Sequence, residues 1–262
     1  MLPAASSKVR LMRMVAVVLA GGSGQRFGAE VPKQLLRLGG RTLIEHCVAA
    51  FEEAPGVHEI LVVMPPGRTA EAERLLGGAG YRKVSGVIEG GTTRSGSTRR
   101  AIAAIGAREA AGDASGGCGV LLHDAARPLV DQRIIADCVD ALRDADAVGV
   151  AVPTSDTIVV ASDGVMTHMP HRDSLLRCQT PQAFRLSVIA RAHELALADP
   201  GFTPTDDCGV VLRYLPEVPI RVVAGSEHNI KVTYPRDLAI AETLLKTRWA
   251  GDSEASVTAG GT

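Results

Sequence analysis

The chain has 262 residues, a formal net charge of −1, 46% hydrophobic residues and only 3% aromatic ones. That composition suits one large α/β domain with a core of Val, Leu, Ile and Ala, and it excludes a general nucleic-acid or membrane surface. Five cysteines (Cys47, Cys118, Cys138, Cys178 and Cys208), odd in number and without a C-x-x-C pair, exclude a disulfide framework or zinc site and point to buried thiols in a reducing cytoplasm, and no run of about 18 apolar residues spans a membrane.

Residues 1–13 carry Lys8, Arg10 and Arg13 with no long apolar stretch after them, and are read as a disordered extension rather than a signal peptide. A single domain is expected over 14–250. It opens with a β-branched run, Met14–Leu19, that reads as a buried parallel strand. The loop Gly21-Gly22-Ser23-Gly24-Gln25-Arg26-Phe27-Gly28 follows, then Pro32-Lys33-Gln34. It lacks the G-x-x-x-x-G-K-[ST] pattern of a P-loop. It is also one residue too long for the dinucleotide fingerprint G-x-G-x-x-G, although Glu45 stands where that fingerprint's acidic residue would fall. Glycines let backbone N–H groups approach phosphate oxygens, and Arg26 and Lys33 can neutralise charge on a transferring phosphate.

Strand and helix patterns then alternate. Strands are expected at Glu59–Met64, Val84–Glu89, Gly119–His123, Ala147–Val152 and Ile220–Val223. Helices are expected at Thr42–Glu52, Thr69–Leu76, Thr93–Ala107, Gln132–Asp144, Ser187–Leu197 and Pro235–Lys246, with Thr233 as a candidate cap for the last. This alternation predicts a doubly wound, mostly parallel sheet whose ligands sit at the carboxyl ends of the strands. Polar segments fall at those ends: Gly90-Gly91-Thr92-Thr93-Arg94-Ser95-Gly96-Ser97, His123-Asp124-Ala125-Ala126-Arg127-Pro128 and Asn229-Ile230-Lys231-Val232-Thr233. One stretch breaks the alternation. Asp156–Val160 and Val165–Met169 flank Ser162-Asp163-Gly164 and predict a β-hairpin arm at about 153–175. Its apolar face needs cover, which a second subunit or an ordinary β-flap would provide. Residues 251–262, rich in Ser, Ala and Gly, are read as a disordered tail.

The motifs Ala20-Gly21-Gly22-x-Gly24-x-Arg26 with Pro32-Lys33-Gln34, Gly90-Gly91-x-x-Arg94-x-x-Ser97, His123-Asp124-Ala125-Ala126-Arg127-Pro128, Asp156-Thr157-Ile158, Thr180-Pro181-Gln182, Thr205-Asp206-Asp207 and Asn229-Ile230-Lys231-Val232-Thr233 occur in order between Met14 and Lys246. Together they resemble the 2-C-methyl-D-erythritol 4-phosphate cytidylyltransferase family. The resemblance implies a Rossmann-like nucleotidyltransferase fold and transfer of CMP from CTP to the polyol phosphate, with release of pyrophosphate in the non-mevalonate isoprenoid pathway. It implies Arg26, Lys33 and Lys231 as catalytic cations. For CTP it implies Ala20, Gly21, Gly22, Gly24, Gly91, Arg94, Ser97 and Ala125, and for the methylerythritol phosphate Asp124, Arg127, Arg172, Thr180 and Thr205. Mg²⁺ is the implied cofactor, with no certain protein ligand and Asp124 as the candidate. Arg172 and Thr180 are implied to reach a partner's site through the arm, making a homodimer.

The chain departs from the family at Leu19, where Pro is common, at Thr92, where an acid is common, and at Val159, where a Lys is common. The sister activity, ribitol 5-phosphate cytidylyltransferase, shares nearly all these motifs and is the competing reading. A non-catalytic nucleotide-sensing domain would have no use for Arg26, Lys33 and Lys231 together.

Overall fold

The computed structural model describes residues 12–21, 32–111, 117–199 and 201–258. In chain order the elements are β1 (Arg13–Leu19), the short pair β2 (Arg37–Leu38) and β3 (Arg41–Thr42), α1 (Leu43–Glu53), β4 (Glu59–Met64), α2 (Thr69–Gly77), β5 (Val84–Glu89), α3 (Arg94–Ala111) and β6 (Cys118–Asp124). Then follow α4 (Gln132–Asp144), β7 (Ala147–Pro153), β8 (Val160–Ser162), β9 (Val165–His168), β10 (Leu176–Arg185), α5 (Leu186–Leu197), α6 (Asp207–Tyr214), β11 (Ile220–Ala224) and α7 (Pro235–Thr258).

Seven strands form one sheet in the order β11-β7-β10-β6-β1-β4-β5, parallel throughout except for β10, which runs against β6 and β7. Residues of β1 alternate between two apolar layers. Met14, Ala16 and Val18 face α1, α2 and α4, while Val15, Val17 and Leu19 face α3, α5 and α6. Burial on both sides explains why this strand is continuously apolar. A third cluster of Leu38, Leu43, Leu129, Val232, Ala241 and Leu245 seats α7 beside the β2–β3 pair. Local capping fixes the helix starts. Thr42 and Glu45 form a reciprocal capping box on α1, Asp131 accepts the Ile134 N–H at 2.8 Å to cap α4, and Asp206 accepts the Gly209 N–H at 2.8 Å to cap α6.

Every strand and helix expected from the alternation is present. Strand β10 and helix α6 were not expected. Pro181 and the polar run Cys178-Gln179-Thr180 argue against a central strand, yet the strand forms with a register shift between Gln179 and Gln182. Its buried polar groups are answered individually: Gln179 donates to Ser226 O at 2.8 Å, and Gln182 Oε1 accepts the N–H groups of Asp207 and Cys208 at 3.1 and 3.0 Å. The hairpin arm is present as β8 and β9, shorter than expected, around Asp163 and Gly164 with φ of 51° and 79°. The cap of α7 differs from the expectation: Asp237 accepts from the N–H groups of Thr233 and Tyr234, both at 2.8 Å. Helix α7 also continues to Thr258, through most of the segment read as a disordered tail. No proline interrupts it after Pro235, so nothing local stops it near Lys246.

Register places the site. Leu19 at the end of β1 pairs with Val63 of β4 and Asp124 of β6. The residues just beyond these strand ends are stitched to them: Ala20 N–H donates to Val63 O at 2.8 Å, Gly90 N–H to Met64 O at 2.6 Å, and Ala125 N–H to Leu19 O at 3.0 Å.

Candidate active site

A cleft of about 260 Å³ opens at this carboxyl edge. Of the residues singled out from the sequence, Ala20, Gly21, Lys33, Arg94, Ser97, Asp124, Ala125 and Lys231 line it. Gly22, Gly24 and Arg26 lie outside the described residues. Two glycines are required by close approach. A Cβ on Gly21 would stand 2.8 Å from Ser97 Oγ, and one on Gly91 would stand 2.7 Å from the Gly96 carbonyl carbon. Ser97 is itself buried, and its hydroxyl donates back to Thr93 O at 3.0 Å and reaches Gly91 O at 3.5 Å. The first strand's loop, the double-glycine loop and the start of α3 thus form one tight wall.

Across this wall runs a row of alternating charges. Lys231 Nζ donates to Asp124 Oδ2 at 2.7 Å, and Arg94 Nε donates to Asp124 Oδ1 at 2.9 Å. Arg94 Nη1 donates to Asp207 Oδ2 at 2.7 Å, while Asp207 Oδ1 lies 3.0 Å from His193 Nε2. Burial by itself would raise the Asp124 carboxyl. The charges of Arg94 and Lys231 and their hydrogen bonds outweigh that and hold it well below the usual carboxylate range. Asp207 is likewise lowered against its burial, by Arg94 and by the hydrogen bond from His193. Burial pulls the Arg94 guanidinium down, but the two carboxylates outweigh it and keep Arg94 charged.

Asp207 and His193 had no assigned role in the sequence. Asp207 stands in the Thr205-Asp206-Asp207 motif, but spacing does not reveal that Asp206 caps a helix while Asp207 faces an arginine from α3. Gln34, buried at the cleft, is a further lining residue.

The remaining expected residues are not in the cleft wall. Arg127 donates to Asn229 O at 2.7 Å and Cys178 O at 3.2 Å, which ties the loop after β6 to β10 and to the segment before α7. Thr180 is buried, its hydroxyl oxygen accepting the Asp124 N–H at 3.1 Å. Arg172 is exposed on the arm, 3.5 Å from Ser155 O, and Thr205 is exposed ahead of α6.

Among the described residues, the cleft offers a Mg²⁺ ion Asp124 and no other carboxylate. Among the described residues no group of three or more His, Cys, Asp or Glu could hold a metal, Asp124 is the one carboxylate lining the cleft, and both of its oxygens already meet cations. Mg²⁺ characteristically takes one or two carboxylates at most alongside phosphates and waters.

The family model for 2-C-methyl-D-erythritol 4-phosphate cytidylyltransferase matches residues 14–247. The chain is 54% identical over 243 residues to the protein of that name from Thermobifida fusca, covering 91% of this chain and 95% of the relative. It is 37% identical to the bifunctional ribulose 5-phosphate reductase/CDP-ribitol pyrophosphorylase of Haemophilus influenzae, covering 89% of this chain but 48% of that protein. Among solved structures, the 4-diphosphocytidyl-2C-methyl-D-erythritol synthase of Anaerococcus prevotii superposes with a TM-score of 0.75 at 27% identity, over 90% of this chain and 99% of that one. The match over nearly the whole domain, together with the motifs gathered at one sheet edge, makes this chain a member of the 2-C-methyl-D-erythritol 4-phosphate cytidylyltransferase family.

Proposed function

We propose that the cleft binds CTP and 2-C-methyl-D-erythritol 4-phosphate and joins them into 4-diphosphocytidyl-2-C-methyl-D-erythritol. A phosphate oxygen of the polyol attacks the α-phosphorus in line, the new P–O bond forms, and the bond to the bridging oxygen breaks to release pyrophosphate. The observation that carries this reading is the pairing of Lys231 and Arg94 on Asp124 at the end of β6, in the same cleft as Lys33 and Gly21.

The pairing gives each residue a task. Asp124 fixes the heads of Lys231 and Arg94, so neither has to reorganise as charge builds at phosphorus. Lys231 serves the attacking phosphate and Lys33 the triphosphate, a role the family resemblance also gives to Arg26. Ala20, Gly21, Gly91, Ser97 and Ala125 make the nucleotide side of the cleft, too tight at Gly21 and Gly91 for a side chain, and the family resemblance adds Gly22 and Gly24 to that role. Arg127 and Thr205 belong to the polyol side, Arg127 by holding its loop. Mg²⁺ bound to the triphosphate, with Asp124 as the neighbouring carboxylate, would supply further charge neutralisation there.

The arm is the dimer contact of this reading. Val165, Met166 and Met169 are 64%, 71% and 60% exposed on it, and a second copy would cover them and bring Arg172 to the partner's polyol phosphate; Thr180, expected to travel with it, is instead buried behind Asp124 of its own chain. The cytoplasm is the compartment, in keeping with buried thiols at Cys47, Cys118, Cys138 and Cys208.

Pyrophosphate release with CTP and Mg²⁺, run in parallel with 2-C-methyl-D-erythritol 4-phosphate and D-ribitol 5-phosphate, tests the reading. Turnover with the first alone is expected. Turnover with the second alone would transfer the function to the ribitol branch that the Haemophilus relative's name describes. Mixing Arg172→Ala chains with Lys33→Ala chains tests the shared site: activity returns if one intact site assembles across the interface, and no recovery overturns it.

A further inference from the structure

His123 stands next to Asp124 in β6, and nothing above gives it a role. Its side chain is fully buried, edge-on to the Phe51 ring with centroids 5.3 Å apart. Nε2 lies 3.0 Å from Arg127 O and Nδ1 lies 3.1 Å from Thr180 Oγ1. A carbonyl oxygen has no proton to give, so Nε2 carries the ring proton and Nδ1 presents a lone pair. The Thr180 hydroxyl therefore donates to Nδ1. Its oxygen in turn accepts the Asp124 N–H at 3.1 Å. Burial lowers His123 to about 4 against the hydrogen bonds and the nearby Asp124 carboxylate, which leaves the ring neutral at pH 7.

We propose that His123, as the neutral Nε2–H tautomer, is a positioning residue for cytidylyl transfer: it sets the Thr180 hydroxyl, which holds the Asp124 amide, and pins the Arg127 carbonyl. The carboxylate of Asp124 is thereby presented to Arg94 and Lys231. The proposal rests on the roles given to Asp124 and Lys231 above. It has a consequence for Thr180. With its one proton turned to His123 and its oxygen accepting the Asp124 N–H, the buried hydroxyl cannot donate to a phosphate oxygen and acts from behind Asp124 rather than on the substrate.

Two measurements on the full chain test this. In protein labelled with ¹⁵N-histidine, the His123 ring, identified by its loss in His123→Gln, should show the neutral Nε2–H pattern at pH 7. An Nδ1–H tautomer or an imidazolium at that pH overturns the proposal. The second measurement is a kinetic cycle with denaturation midpoints taken on the same samples. The longer amide of His123→Gln can reach Arg127 O but offers Thr180 no acceptor at the Nδ1 position. It should lower kcat/KM for the polyol phosphate by about 3- to 10-fold, as should Thr180→Val, the scale of one net hydrogen bond. The double variant should be no worse than either single one, and Thr180→Ser, which keeps the hydroxyl, should restore activity. Additive losses, or a Thr180→Val enzyme as active as wild type, overturn it. A variant that does not fold leaves the tautomer spectrum to decide. A wild-type chain silent with both polyol phosphates defeats the reading of the site, whereas the spectrum still judges His123.

Discussion

Replacing Asp124 by asparagine removes one charge from the middle of the row Lys231–Asp124–Arg94–Asp207 while keeping the side chain's shape. The asparagine amide has one acceptor oxygen where the carboxylate has two, so its NH₂ must face either Arg94 Nε–H or Lys231 Nζ, donor against donor. The Arg94 side of the pair is largely buried, with 27% and 11% of the two side chains exposed, and its loss costs about 2 kcal/mol. Lys231 is 45% exposed, so solvent screening reduces its side of the pair to about 0.5 kcal/mol. Arg94 keeps Asp207, which limits the damage. The sum, about 2–3 kcal/mol, lowers the melting temperature of a domain this size by about 4–12 °C. Turnover falls as well, because both cations lose their fixed positions: about 100-fold, the scale of a roughly 1 Å misplacement of a catalytic group and about the same free energy as the stability loss. Thermal unfolding at pH 7 and pyrophosphate release at saturating CTP and polyol phosphate measure the two effects on one preparation. A variant that melts with the wild type and turns over at a similar rate would show that Asp124 does not organise the site.

Lys33→Ala should keep its circular dichroism spectrum and lose about 100- to 1000-fold in turnover, the usual cost of removing one preorganised charge from a transition state; near-normal turnover removes Lys33 from the mechanism. Gly21→Ala should raise KM for CTP, because the new methyl would lie 2.8 Å from Ser97 Oγ, and Ser97→Ala should relieve part of the defect; kinetics of the two single variants and the double one check this. Stability should fall on acidification in two stages. His123 has its folded value lowered to about 4 from 6.5, so its contribution is complete above pH 6.5 and is lost as the pH falls toward 4, a change of about 3 kcal/mol that His123→Asn should lack. The depressed carboxyls of Asp124 and Asp207 contribute above their unfolded value of about 4 and lose that contribution as the pH falls below it, so Asp124→Asn should flatten the second stage. Denaturant titrations from pH 8 to pH 3 read both stages.

Much of the architecture was legible because parallel strands buried on both faces leave a strong mark. Val15-Ala16-Val17-Val18 and Glu59-Ile60-Leu61-Val62-Val63-Met64 have few alternatives, and the motifs that follow such strands must meet at one edge. The arm was legible from Asp163-Gly164, since few residues adopt positive φ at both turn positions. Strand β10 was not legible, because its core-facing residues include Gln179, Thr180 and Gln182, whose burial depends on partners at Ser226, Asp124 and Asp207 that lie far away in sequence. The close packing of Gly21 on Ser97 and of Gly91 on Gly96 joins two loops that the sequence groups only through the family resemblance. The charge row was not legible: Asp124 precedes Arg127 by three residues, which suggests a local pair, yet the arginine it meets is Arg94, at the start of α3.

That exchange of partners has a structural reason. A local Asp124–Arg127 pair would fold the loop after β6 onto itself and leave Arg94 with Asp207 alone. Instead Arg127 spends its donors on backbone carbonyls of Asn229 and Cys178. Those two contacts draw the antiparallel strand and the segment before α7 against the loop, and Val232 N–H completes the seam by donating to Ala126 O at 2.8 Å. The seam sets the distance of Lys231 from Asp124. Because β10 also leads directly out of the arm at Leu176, the same strand that fixes Thr180 behind Asp124 anchors the projecting hairpin. The base of the arm and the support of Asp124 therefore belong to one strand, and a shift of β10 along its axis would move the group that holds the Asp124 backbone.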